Sequence, residues 1–164
     1  MVNPSLRLAS TLLALAAAGA GLRADEAWGK AADNKIFAQT LVNDTMAAHP
    51  ELVVIGLHAV APGVTDEKMI ASNLDRIGKK DDDDDIAVCQ ERKTILAPNM
   101  KDPTRFEVQV PLLDSQGRVV GSTGLVFKYK AGDDELELHR KAIEIRAEFA
   151  KRIADKDALF KAIP

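Results

Sequence analysis

Apolar and polar positions along this chain follow two rhythms. One recurs every three to four residues and marks helices; the other runs in short β-branched blocks and marks strands. From Asp25 to Ala48, Trp28, Ala32, Ile36 with Phe37, Leu41 and Thr45 recur at helical spacing. This predicts a long N-terminal helix that starts on the acids Asp25 and Glu26 and ends at His49-Pro50. Asp133 to Ile163 carries a second helical seam through Leu138, Ala142, Ile145, Phe149 and Ile153. Between these helices lie the strand-like blocks. Glu51–Ala61 contains Leu-Val-Val-Ile-Gly-Leu-His-Ala-Val, apolar on both faces, which predicts a strand inside a sheet. Pro62-Gly63 breaks it. A shorter strand is predicted over Glu67–Leu74, a short helix over Asp83–Glu91 and a brief strand over Lys93–Leu96.

The strongest block is Phe106–Tyr129, where two apolar runs flank Asp114-Ser115-Gln116-Gly117. It reads as a long β-hairpin at the centre of an antiparallel sheet, with Gly117 supplying the positive φ of the loop. In its first arm Phe106, Val108, Val110 and Leu112 share one face. In its second arm Gly121 and Gly124 leave gaps in a bulky strand, the mark of a bulge or of close approach by another group. If alternation holds along Glu51–Ala61, His58 shares a face with Leu52, Val54 and Val60.

Composition refines this picture at a few points. With 46% hydrophobic and 29% charged residues, the 164-residue chain has the make-up of one soluble globular domain plus a targeting segment. Aromatics are only 4%, so the core must be mainly aliphatic. Arg7 precedes an uncharged Leu- and Ala-rich stretch, Leu8–Leu22, and small residues lead into Asp25-Glu26. That order predicts a secretory signal peptide over residues 1–24, cut after Ala20 or Ala24, or else retained as an anchor. Fifteen uncharged residues fall short of the roughly 20 needed to span a bilayer. The domain is then 25–164 and the compartment periplasmic or secreted. Removing 1–24 takes Arg7 and Arg23 and leaves 20 basic against 25 acidic residues, which argues against nucleic acid as a partner. The single Cys89 excludes an internal disulfide, and without a second Cys no c-type haem can attach.

Candidate chemistry is sparse. The run Asp81–Asp85 lacks the alternate acids, central Gly and terminal Glu of a calcium loop. It reads as a solvated loop whose later members cap the helix at Asp83, with a weak cation site as the alternative. Cys89 reads as an inert small residue. His58 is either a buried histidine with a backbone partner or a ligand contact.

Three segments together resemble the extracytoplasmic Cache sensor domains. They are His49-Pro-Glu-Leu-Val-Val-Ile-Gly-Leu-His, Ile70-Ala-Ser-Asn-Leu-Asp-Arg-Ile-Gly-Lys and Val110-Pro-Leu-Leu-Asp-Ser-Gln-Gly-Arg-Val-Val-Gly-Ser-Thr-Gly-Leu. The resemblance implies an α+β class, PAS-like fold: a five-stranded antiparallel sheet with long N- and C-terminal helices. It also implies a small-molecule pocket between the sheet and residues 62–105. Candidate ligand contacts are His58, Ser72, Asn73, Lys93, Thr94, Arg105, Gln109 and Ser122, with Arg105 or Lys93 suited to a carboxylate. No kinase, methyl-accepting or cyclase segment accompanies these residues. The expected function is therefore a ligand-binding sensor module that signals through a separate membrane-bound partner, with no cofactor and no metal. One alternative is an interaction or assembly protein, a homodimer for example, using Ile143 and Ala147 on the last helix. A small hydrolase is the other, but no Gly-x-Ser-x-Gly elbow, His-Glu-x-x-His or phosphate loop supports an enzyme.

Overall fold

A computed structural model describes residues 27–164 of the chain. The expected signal segment and the start of the first helix at Asp25-Glu26 lie outside the described residues. The elements are α1 (Phe37–Ala48), β1 (Leu52–Val60), β2 (Glu67–Ser72), α2 (Asp83–Glu91), β3 (Ile95–Pro98), β4 (Arg105–Leu113), β5 (Val119–Lys128) and α3 (Glu135–Arg152), with short 3-10 turns at Ala31–Asp33 and Asp157–Phe160. The five strands form one antiparallel sheet in the order β2-β1-β5-β4-β3. The expected hairpin is β4–β5. Its second arm is the central strand, and Gly117 turns it at φ +75°.

Strand alternation divides the sheet into two unlike faces. Ile55, Leu57 and Ala59 of β1, Phe106, Val108, Val110 and Leu112 of β4, and Leu125 and Phe127 of β5 point into the apolar core. Leu41 and Val42 of α1 and Leu138, Ala142, Ile145 and Phe149 of α3 cover them. α2 packs on β4 and β5. The charged cavity described below lies on the face opposite the core.

Both terminal helices are shorter than their periodicity suggests. Residues 27–36 are extended or 3-10 because tertiary partners hold them. Gly29 and Ile77 exchange two backbone hydrogen bonds, of 2.8 and 3.1 Å, and Ala31 N–H donates to Asp75. Trp28 is consequently exposed, with the Arg76 guanidinium 6.0 Å from its ring centroid, and takes no part in a helical seam. At the other end α3 stops at Arg152. Ile153 stays fully buried but turns extended, and its carbonyl accepts from Ser115 N–H in the β4–β5 loop at 2.8 Å. Lys161 and Ile163 then return to hydrogen-bond beside α1.

A second correction concerns β1. A bulge between Leu52 and Val54 in the β1–β5 pairing moves Leu52 into the core, so it does not share a face with His58. The brief strand expected over Lys93–Leu96 falls at Ile95–Pro98. It is an exposed edge, where Pro98 is tolerated.

Candidate functional site

A cavity of about 560 Å³ opens on the sheet face opposite the core. Gly56 and Gly124 face each other across the β1–β5 pairing and form its floor. A Cβ on Gly124 would approach Glu107 Oε1 at 3.1 Å, and one on Gly56 would lie 2.9 Å from His58 Nε2. The missing side chains are therefore what leaves room for polar groups on the sheet. Around the floor, β4 contributes Arg105, Glu107 and Gln109, and β1 contributes Val54 and His58. Arg76, Lys79, Asp82 and Asp85 rise on one side, and Asn99 to Asp102 on the other. The cover thus comes from two parts of the expected 62–105 stretch. The lining carries Arg76, Lys79, Lys101 and Arg105 against Asp82, Asp85, Asp102 and Glu107, so neither sign dominates.

Three of the eight candidate contacts, His58, Arg105 and Gln109, line this cavity. Arg105 is held by Asp102 at 2.7 Å, while the Gln109 amide donates to Glu107 at 3.3 Å. The Gln109 Oε1 is buried without a hydrogen-bond partner among the described residues. The other five lie elsewhere. Ser72 is buried and donates its hydroxyl to the Ile55 carbonyl. Asn73 bridges the β1 backbone, accepting from Ile55 N–H and donating to the Val53 carbonyl, so it ties β1 to the chain leaving β2. Lys93 pairs with Glu91 on the surface and Thr94 is exposed. Ser122 is buried on β5 directly across from His58, with its hydroxyl unpartnered among the described residues.

The cluster around His58 was not legible in the sequence. A bulge in the β1–β2 pairing falls between Leu57 and His58. The His58 Nδ1 donates to Asp81 Oδ1 at 2.6 Å, and Asp85 Oδ2 lies 3.7 Å from the same nitrogen. The Asp run is thus divided. Asp82, Asp83 and Asp84 are exposed, as a solvated loop and helix start should be, whereas Asp81 and Asp85 are buried. Asp82 caps α2 in a reciprocal box with Asp85, consistent with the expected helix over Asp83–Glu91. Apolar surroundings would have signalled burial, but five identical acids carry no pattern from which to choose two.

Protonation equilibria register this crowding. Burial pushes the Asp85 carboxyl up to about 6, aided by the Asp82 and Asp81 charges and opposed by His58. For His58, burial disfavours the imidazolium, yet the Asp81 hydrogen bond and the surrounding carboxylates outweigh it and raise the pKa. Burial also raises Glu67. The Cys89 thiol is pushed up to about 12 by burial and by Glu67, which makes it a poor thiolate nucleophile at neutral pH.

No protein-family model and no curated protein matches this sequence. Among the described residues no helix is long and apolar enough to cross a membrane. Solved structures do resemble the fold. A protein from Burkholderia vietnamiensis described as a GAF sensor protein is 15% identical at a TM-score of 0.53, covering 78% of this chain and 82% of its own. The repressor BlcR of Agrobacterium tumefaciens is 9% identical at 0.49, over 71% and 66% of the two chains. A type II free methionine-R-sulfoxide reductase from Thermoplasma acidophilum is 16% identical at 0.42, over 73% and 97%. The first of these carries the comparison of folds: an α+β chain with a five-stranded antiparallel sheet, of the GAF/PAS-like kind.

Proposed function

We propose that this domain is a small-molecule-binding module of the sensor type. The observation that carries the reading is the 560 Å³ cavity on the glycine-floored sheet face, which presents charged groups of both signs. Such a lining suits a small polar ligand with a hydrogen-bond donor for Glu107 and a carboxylate for Arg105 or Lys101. In the finer reading the module is Cache-like and periplasmic or secreted, and it hands its ligand state to a separate membrane-bound partner. The three resembling segments and the Leu- and Ala-rich leader support that reading. For the assembly alternative, Ile143 already packs against the core, which leaves Ala147 as a small exposed apolar remnant.

The test is native mass spectrometry of the protein purified from its own cells, compared with Gly124→Leu. Leucine at 124 projects into the cavity, and among the described residues its Cβ crowds only the flexible end of Glu107. The wild type should carry a small bound mass, or gain thermal stability with a panel of carboxylates and amino acids at millimolar concentration. The variant should do neither while remaining folded. A wild type that carries nothing and responds to nothing in the panel refutes the reading.

A further inference from the structure

We propose that His58, Asp81 and Asp85 form a binding site for one divalent transition-metal ion at the inner wall of the cavity. One ring nitrogen and two carboxylate oxygens from these residues lie within 4.8 Å of one another. Their side chains are only 6%, 1% and 8% exposed, so these are not carboxylates gathered on a wet surface. Besides Glu67 Oε1, two buried polar atoms lack partners around this cluster among the described residues. Asp81 Oδ2 is one, on a side chain whose other oxygen already meets His58. The Ser122 hydroxyl is the other. Ser122 is the cross-strand partner of His58 in the β1–β5 ladder, so both project from the same sheet face, and Ser122 is 1% exposed. Buried polar atoms of this kind mark an absent partner such as an ion or an ion-bound water.

Charge points the same way. Asp81, Asp85 and the neighbouring Glu67 surround one imidazole, and a divalent cation offsets the negative charge that gathers there. The donor set selects the class of ion. One imidazole with two carboxylates and no sulfur fits zinc, manganese, iron(II) or cobalt, whereas calcium and magnesium favour all-oxygen shells. The Asp85 carboxylate makes only a 3.4 Å contact with the Asp82 N–H in the capping box, so a metal ion competes with a weak hydrogen bond. Three protein ligands leave coordination positions free, and His58 and Asp85 border the cavity where those positions would open. The site stands independently of whether the cavity also takes an organic ligand.

Zinc(II) and cobalt(II) serve as probes on protein stripped with a chelator. Calorimetry should give one site per chain, weakened at least about 10-fold by Asp81→Asn or Asp85→Asn. The double variant Asp83→Asn/Asp84→Asn, in the exposed half of the same run, should bind as the wild type does. Equal losses in both sets, or no binding to the wild type, overturns the proposal. A readout on the wild type covers the case in which the buried variants do not fold. The chain has three histidines. Cobalt(II) should shift or broaden the His58 imidazole signals selectively in NMR spectra assigned with His49→Gln and His139→Gln. Effects confined to His49 or His139, or none at all, reject the site.

Discussion

At the scale of single residues, backbone proximity sets the sharpest constraints. A Cβ on Gly121 would stand 1.9 Å from the His58 carbonyl oxygen, a backbone atom that cannot swing aside. Gly121→Ala should therefore force β5 away from β1 and cost about 3 kcal/mol, read as a lower urea midpoint. Asp114 exerts a different kind of control. Its carboxylate accepts from the N–H groups of Gln116 and Arg118 at 2.9 Å and from the Arg118 guanidinium at 2.6 Å. Burial works to raise its pKa, but these donors outweigh it and hold the carboxyl below its usual range. A carboxylate depressed in the folded state contributes stability above its unfolded pKa, and the contribution fades as pH falls through the folded value. Asp114→Asn should thus lower the thermal midpoint at neutral pH and flatten the acid side of the stability profile below about pH 4. Equal shifts at pH 7 and pH 3 would argue against this role. The need for a small residue at 121 and for a loop at Asp114–Gly117 was legible in the sequence. That the close neighbour of Gly121 is His58 was not.

At the scale of elements, α3 shows periodicity and context acting together. Its N-terminus is set by Asp134, whose side chain accepts from the N–H groups of Leu136 and Glu137, and its buried seam is the one the apolar spacing predicts. Leu136 is 75% exposed although it is only two residues from the buried Leu138, because the seam admits one face. Phe149→Ala should cost about 3–5 kcal/mol by leaving a cavity against the sheet, whereas Leu136→Ala should change stability by less than about 0.5 kcal/mol. Equal effects of the two in chemical denaturation would contradict the assigned seam. The ends of the terminal helices escaped the pattern. Ile153 continues the seam and is fully buried, but its carbonyl is taken by Ser115, and Gly29 is held by Ile77. Sequence spacing reports which side chains want burial and not which backbone groups find partners outside the helix.

At the scale of the whole molecule, one sheet separates an apolar store of stability from a polar cavity. Backbone exchange should map that division. Amides of β5, paired on both sides by β1 and β4, should be the slowest to exchange, and those of the exposed Gly63–Asp66 segment among the fastest. Fast exchange in β5 would overturn the strand order. The sequence by itself determined the succession of helices and strands, the hairpin, the buried seam of α3 and the short helix behind the Asp run. Each rests on local periodicity, turn chemistry or capping, which act over a few residues. Only the tertiary structure decided which candidates meet. A bulge near His58, a capping box at Asp82 and an edge bridge at Lys80 bring Asp81 and Asp85 onto a histidine more than 20 residues earlier. Lys93 and Thr94, close to the same helix in sequence, remain on the surface. The reason is physical: a long-range contact depends on register and burial summed over the whole sheet, and neither is written in the spacing of any one segment.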